Sequence, residues 1–462
     1  MVSPTITFLG ATETVTGSRF LLEYENERIL VDCGLYQGSK EIQAKNREPF
    51  PLDPETITAI VLTHAHLDHS GYVPLLVRQG FQGRILTTKY TEPLLGVVLR
   101  DSAKLQEEDA YFAAKKGYSK HKNPEPLYRL DDVEAALALV HAFPYRQQFK
   151  VGENFIASFF PSGHILGSAF LLITVGDKNI LFTSDMGRSN HPLLAPPDDP
   201  PNLDLDAIVT ESTYGDRIHE SISGEFAREI NAAISRGGSI VIPAFAIDRT
   251  EVILMALREL VDKKEIPPVP IFVDSPMAVA ALAEYRKAVR EGHPGIREGI
   301  TRQWANQDPF DPGTLTNVST TEHSKSLNEI DEPHIIISAS GMATGGRVVH
   351  HLKRMLPDAK NTVLLVGYQA IGSRGRALED GIARIKIHGE WIEVRAHIGK
   401  IESFSVHADS AELLDWLSKC HPPKKIFVIH GEQTAQSAFK EKITSALGWN
   451  AIAPQFKERF DI

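Results

Sequence analysis

The chain has 462 residues, 42% hydrophobic and 23% charged, proportions of a soluble globular protein too long for one ordinary core. A formal charge of −10 excludes a polycation that coats nucleic acid indiscriminately, although a local basic groove stays compatible with it. Two cysteines, Cys33 and Cys420, exclude a disulfide framework, and no run approaches the ~20 apolar residues that span a bilayer, so a cytoplasmic protein without a membrane segment is expected.

The opening MVSPTITFLGATETVTG lacks a basic region and a continuous apolar stretch, so no signal peptide is read. The short apolar runs TITFLG, RFLLEY, RILVDCG and AIVLTH predict strands buried on at least one face. Helical spacing of apolar positions follows over 91–116 and 130–141. FLLITVGDKNILFTSD predicts a hairpin around Gly-Asp-Lys-Asn. At 190–205 the chain turns proline-rich and acidic, as at a crossover or boundary. Strand and helix then alternate: SIVIPAFA with TEVILMALREL, PIFVDSP with MAVAALAEYRKAV, HIIISASG with GRVVHHLKRML, then TVLLVGY. That order predicts a parallel, doubly wound sheet. From about 384, ARIKIHGEWIEVRAHI predicts antiparallel strands, followed by helix AELLDWLSKC, strand KIFVIHG and a last helix. The class is therefore α/β.

One hexapeptide carries chemistry by itself. His64-Ala-His-Leu-Asp-His69 directly follows the strand AIVLT. Imidazole nitrogen and carboxylate oxygen are zinc ligands. A tight turn after a strand would point His64 and His66 at one ion, and Asp68 and His69 at a second. Two ions roughly 3.5–4 Å apart can share a bridging hydroxide and clamp a phosphate. Three histidines and an aspartate within six residues are hard to explain as structural residues.

This hexapeptide resembles the HxHxDH signature of the metallo-β-lactamase superfamily. The resemblance implies further residues in a set order, and the chain supplies them. Asp32 would be the aspartate that orients ligand histidines, His164 the third histidine of the first metal, and Asp185 the bridging carboxylate.

After Asp185, roughly 180 residues of parallel α/β pattern intervene before antiparallel strands resume. That layout resembles the β-CASP branch, the nucleases related to the endonuclease subunit of the cleavage and polyadenylation specificity factor, in its compact bacterial form. Thr210-Glu-Ser-Thr-Tyr-Gly-Asp216, Phe404-Ser-Val-His-Ala-Asp409 and Ile429-His-Gly-Glu432 match its three extra motifs. Pro243-Ala-Phe-Ala246, Asp274-Ser-Pro-Met277, Ser338-Ala-Ser-Gly-Met342 and Gly367-Tyr-Gln369 are intermediate matches.

The resemblance implies a four-layer αββα metallo-β-lactamase fold with an inserted parallel α/β domain. The expected bounds are 1–208 and 391–462 for the metallo-β-lactamase domain and 209–390 for the insert. It also implies two Zn²⁺ ions held by His64, His66, Asp68, His69, His164, Asp185 and His430. His407 would be the general acid that protonates the leaving 3′ oxygen, with Glu211 as its partner. Asp68 and Asp32 complete the catalytic set. Branch members acting on RNA carry a histidine where His430 stands, and DNA-repair members an apolar residue, so the implied activity is RNA hydrolysis, endonucleolytic with 5′ trimming left open. With Asp68 and Asp185 as counter-charges, two Zn²⁺ would leave about +2 in the site, enough to draw a phosphate into an acidic protein.

The glycine-rich turn Ser338–Gly346 and the turn Gly367–Arg376 would offer backbone N–H groups and arginines to phosphates. Ser338, Ser340, Gly341, Arg374 and Arg376 are therefore candidate substrate contacts. Residues 333–378 carry Arg347, Lys353, Arg354, Lys360, Arg374 and Arg376 against only Asp358, which would make a positive lip. No interleaving of basic and aromatic residues supports sequence-specific readout, so the expected partner is single-stranded RNA of no set sequence. Family behaviour implies a homodimer. The rival reading is a small-molecule ester or thioester hydrolase of the same superfamily, which the ligands alone permit and the trio Glu211, His407 and His430 opposes.

Overall fold

The structure, a computed structural model, describes residues 3–116, 124–219, 224–401 and 404–462. Two compact units form: Met1–Ile218 with His407–Ile462, and His219–Val406. The edges at 218/219 and 406/407 lie later than the 208/209 and 390/391 read from sequence, and strand pairing explains both. Ala207–Thr210 pairs in parallel with Lys178–Ser184 and Lys425–Val428, which ties the following turn to the first unit. His397–Lys400 pairs in parallel with Thr362–Leu365 of the inserted sheet. Only Arg384–Ile387 and Glu390–Glu393 form the antiparallel pair expected near that point.

The first unit is a sandwich of two seven-stranded sheets. One runs, edge to edge, Arg459–Asp461, Thr5–Phe8, Phe20–Tyr24, Glu27–Val31, Ala59–Val61, Arg84–Thr88, Val140–Phe143. The other runs Ala451–Ile452, Lys425–Val428, Ala207–Thr210, Lys178–Ser184, Ala169–Val175, Phe155–Pro161, Gln148–Lys150. Strand periodicity of two sorts their side chains. Ile6, Phe8, Phe20, Leu22, Ile29 and Val31 meet Phe159, Leu171, Ile173, Phe182, Val209 and Phe427 in the central core. The alternate residues Phe170, Leu172, Leu181, Ile208, Ile426 and Val428 pack on Leu413, Trp416 and Leu417 of helix Ser410–Ser418 and on Phe439 and Ile443 of helix Gln433–Leu447. Helix Thr91–Lys116 lies on the far side of the first sheet, against Arg84–Thr88 and Val140–Phe143. The order of layers is αββα.

Two local readings are refined. The hairpin Ala169–Val175 with Lys178–Ser184 has the register Val175↔Lys178, so its loop is only Gly176-Asp177, and Gly176 takes φ 59° as such a turn requires. The helix expected over 130–141 ends at Leu137, and Val140–Phe143 becomes an edge strand parallel to Arg84–Thr88. Val140 and Phe143 are apolar enough for either period, and the open sheet edge takes the segment.

The second unit is a six-stranded sheet in the order Leu315–Asn317, Ile271–Val273, Ile335–Ser338, Ile240–Pro243, Thr362–Leu365, His397–Lys400, with parallel neighbours throughout. Its core gathers Val241, Ile336, Val363 and Leu365 with Val348 and Leu352 of helix Arg347–Met355. Among the described residues, no helix is long and apolar enough to cross a membrane.

Candidate metal centre

Six of the residues singled out from sequence sit one to three positions past a strand of the first unit. Asp32 follows Glu27–Val31, His64 follows Ala59–Val61 and His164 follows Phe155–Pro161. Asp185 follows Lys178–Ser184, Glu211 follows Ala207–Thr210 and His430 follows Lys425–Val428. Hydrogen bonding of the ladder ends at these points, and the freed chain turns side chains into one place. Asp32, Ser184 and His430 take positive φ of 55°, 50° and 50°. Non-glycine residues rarely do so, and strain of this kind concentrates at functional sites. Asp68 and His69 arrive on the short helix Leu67–Ser70 with His66 at its N-cap, and the Ser70 hydroxyl binds back to the carbonyls of Ala65 and His66.

Two groups of donor atoms result, sharing Asp185. In the first, His66 Nδ1 is 3.2 Å from His164 Nε2, and Asp185 Oδ2 is 3.5 Å from His164 Nε2 and 3.6 Å from His64 Nε2. In the second, His69 Nε2 is 3.2 Å from His430 Nε2 and 3.3 Å from Asp185 Oδ1, and Asp68 Oδ2 is 3.5 Å from His430 Nε2 and 3.9 Å from His69 Nε2. An ion bound tetrahedrally at ~2.0–2.2 Å separates its ligand atoms by roughly 3.3–3.6 Å. The pairs lie between 3.2 and 3.6 Å in the first group and between 3.2 and 3.9 Å in the second. His64 Nε2, which faces the first group, is buried with no hydrogen-bond partner, an arrangement that costs free energy unless a ligand satisfies it. The donor set fits metal-ion binding.

The histidine orientations have identifiable causes. Asp32, buried, accepts from the Thr63 amide at 2.9 Å and from the Thr63 hydroxyl at 2.9–3.0 Å. It also accepts from His69 Nδ1 at 2.8 Å, which leaves the His69 Nε2 lone pair facing the site. With its hydrogen committed to Asp32, Thr63 Oγ1 accepts from His64 Nδ1 at 3.1 Å and from the Ser184 hydroxyl at 2.7 Å. Asp32 therefore sets His69 directly and His64 through one hydroxyl.

Charge follows from burial and neighbours. Burial holds His64, His66 and His164 below the ordinary histidine value, so each keeps a lone pair for a cation. Burial acts the same way on His69 and His430, but Asp185 with Asp32 raises His69, and Asp185 with Asp68 raises His430. Burial also opposes ionisation of Asp185, yet the imidazoles of His430, His69 and His64 hold its carboxyl well below the usual carboxylate range.

His407 stands beside the donor groups. Its Nδ1 lies 3.4 Å from Glu211 Oε2 and 4.0 Å from Asp185 Oδ2, and its side chain is 17% exposed while that of Glu211 is 1%. Glu211 is held by the Met186 amide at 2.6 Å and the Thr213 amide at 3.4 Å. The segment carrying His407 is pinned by its bridge to Gly187, where an added Cβ would meet the Gly163 carbonyl oxygen at 1.9 Å.

The five candidate substrate contacts belong to the inserted unit, where each has an internal partner or close packing. Ser338 is buried and donates to the Asp274 carbonyl at 2.8 Å. Ser340 pairs with Thr344 at 3.0 Å, and Gly341 packs against Phe245. Arg374 donates to the carbonyls of Thr344, Ala343 and Lys386 at 2.8, 3.2 and 3.4 Å, and Arg376 pairs with Asp380 at 2.9 Å. Thr63, Ser184 and Thr213 were given no role from sequence. Their only signal is a hydroxyl next to, or inside, a motif that carries a ligand.

Three family models match the chain: "Metallo-beta-lactamase superfamily" over residues 15–243, "Beta-Casp domain" over 250–378 and "Zn-dependent metallo-hydrolase RNA specificity domain" over 391–454. The chain is 35% identical to Ribonuclease TTHA0252 of Thermus thermophilus, covering 92% of each chain. It is 30% identical to an RNase J-like protein of Methanocaldococcus jannaschii, covering 97% of each. It is also 30% identical to the transcription termination factor FttA of Methanosarcina mazei, covering 93% of this chain and 67% of that one. A crystal structure of a protein of unknown function from Enterococcus faecalis shares the fold with TM-score 0.53 at 15% identity over the whole of both chains.

Proposed function

The chain belongs to the β-CASP branch of the metallo-β-lactamase superfamily, and from that premise we propose that it is a cytoplasmic, zinc-dependent ribonuclease that hydrolyses phosphodiester bonds of single-stranded RNA. The observation that carries the reading is the shared carboxylate. Asp185 offers one oxygen to the His64, His66 and His164 group and the other to the Asp68, His69 and His430 group. The ribonuclease names of the relatives supply the substrate class. Cys33 and Cys420, both unpaired and buried with thiols pushed up to about 12, suit a reducing compartment.

In this reading, His64, His66, His164 and Asp185 would hold one Zn²⁺, and Asp68, His69 and His430, with Asp185 beside them, would hold the other. Bound zinc polarises a phosphoryl oxygen and makes water a competent nucleophile at neutral pH. The chain's own groups do the rest. Asp32 and Thr63 hold the His69 and His64 rings in the tautomers that turn Nε2 to the ion. Glu211 Oε2, 3.4 Å from His407 Nδ1, is the carboxylate that faces this ring. The nitrogen turned away from Glu211, Nε2, is then the one that protonates the departing 3′ oxygen, which leaves as a hydroxyl while water adds to phosphorus.

The test is a substrate panel offered to wild-type and metal-stripped protein: an unstructured RNA, DNA of the same sequence, and a small thioester. The ribonuclease reading expects RNA cleavage that metal removal abolishes and zinc restores. Thioester hydrolysis without RNA cleavage would overturn it.

A further inference from the structure

His430 differs from His69, the other histidine of the second group, in having both ring nitrogens near atoms of the donor set. Its Nε2 faces His69 Nε2 at 3.2 Å and Asp68 Oδ2 at 3.5 Å, whereas its Nδ1 lies 3.6 Å from Asp185 Oδ1. Either nitrogen could turn its lone pair toward a cation. His69 is settled by a carboxylate, Asp32. At His430 the group in that position is the hydroxyl of Thr213, 3.1 Å from Nδ1.

A hydroxyl has one hydrogen to give and can accept from two sides. Thr213 Oγ1 also lies 3.3 Å from the His430 carbonyl oxygen, which can only accept. With the hydroxyl hydrogen directed to that carbonyl, Oγ1 accepts from Nδ1–H, and the Nε2 lone pair is left for the ion. The backbone holds this geometry from both sides. The His430 amide donates to the Ala11 carbonyl at 2.7 Å, the Ser212 amide donates to the His430 carbonyl at 3.2 Å, and the Ser212 hydroxyl donates to the Ile429 carbonyl at 2.8 Å. Thr213 itself is buried.

We infer that Thr213 is a positioning residue that selects the Nε2-ligating tautomer of His430 and so governs occupancy of the second metal position without governing the first. The inference rests on the two-ion reading above. Outer hydrogen bonds of this type are worth ~10- to 100-fold in metal affinity.

The experiment uses the whole chain as wild type, Thr213→Val, Thr213→Ala and Thr213→Ser. Each is stripped of metal, checked for thermal unfolding in that state, and titrated with zinc against a chromophoric chelator. Val and Ala should both leave one ion at wild-type affinity and bind the other ~10- to 100-fold more weakly, while Ser, which retains the hydroxyl, stays close to wild type. Loss in Ala but not in Val would assign the effect to packing and overturn the inference. So would equal weakening of both ions, wild-type affinity for both in Val, or failure of Ser to rescue. Because the readout is metal affinity, wild-type protein that binds two ions yet cuts no RNA would sink the ribonuclease reading and leave Thr213's role standing.

Discussion

Nε2 of His69 stands 3.2 Å from Nε2 of His430, across a sequence separation of 361 residues. Their outer nitrogens are taken by Asp32 and Thr213, so the two inner nitrogens converge. Only a proton or a cation between them removes the repulsion of two facing lone pairs, and Asp68 and Asp185 supply the negative charge that favours a cation.

Asp185→Asn tests the shared carboxylate. The amide keeps the shape but offers one oxygen where two were used. Both ions should weaken, and cleavage should fall by more than the ~10- to 100-fold typical of an outer partner. Zinc counted after dialysis, alongside RNA turnover, checks this. Retention of two tightly held ions would contradict a bridging role.

Asp32→Ala should act differently from a change at Thr213. Asp32 orients His69 directly and His64 through Thr63, one histidine in each donor group. Affinity for both ions should therefore drop, each by ~10- to 100-fold. Chelator competition resolves the two steps. Weakening confined to one ion would break the proposed relay through Thr63.

Asp274 gives a stability prediction in the inserted unit. Burial raises its pKa, but hydrogen bonds from His351 and Ser324 at 2.6 Å and Arg347 at 2.7 Å outweigh that and hold the carboxyl below its usual range. A depressed folded pKa contributes stability that is fully present above the unfolded value, ~3.9, and is lost as pH falls through the lower folded value. Asp274→Asn should cost ~1–3 kcal/mol at pH 7. That gap should shrink as pH falls below ~3.9. Chemical denaturation of the two metal-free proteins across this range measures it. A gap independent of pH would assign the cost to something other than charge.

Much of this was legible in the sequence, for physical reasons. Short apolar runs such as TITFLG and RILVDCG mark strands, and the candidate ligands lie just past strand ends, where an apolar run stops short of His64, Asp185 or His430. Family order then carried the expectation from the HxHxDH turn to residues hundreds of positions away. The unit edges were less visible, because pairing of His397–Lys400 with Thr362–Leu365 depends on a register that no local pattern encodes. Thr63 and Thr213 escaped for a related reason. A threonine beside a strand end reads as β propensity, and only three-dimensional contact reveals that its hydroxyl faces an imidazole. Arg374, an arginine in a glycine-rich turn, donates to the carbonyls of Ala343 and Thr344, contacts that its sequence position does not announce.

The most direct test of the whole account is cleavage of a 5′-labelled, unstructured RNA by wild type and by His407→Ala, with bound zinc counted in both. The account predicts that wild type cuts, and that the variant is ~10²- to 10⁴-fold slower at unchanged zinc, because His407 stands beside the donor groups and not among them. A zinc-loaded wild type that leaves the RNA intact, or a variant that cuts at the wild-type rate, would contradict it.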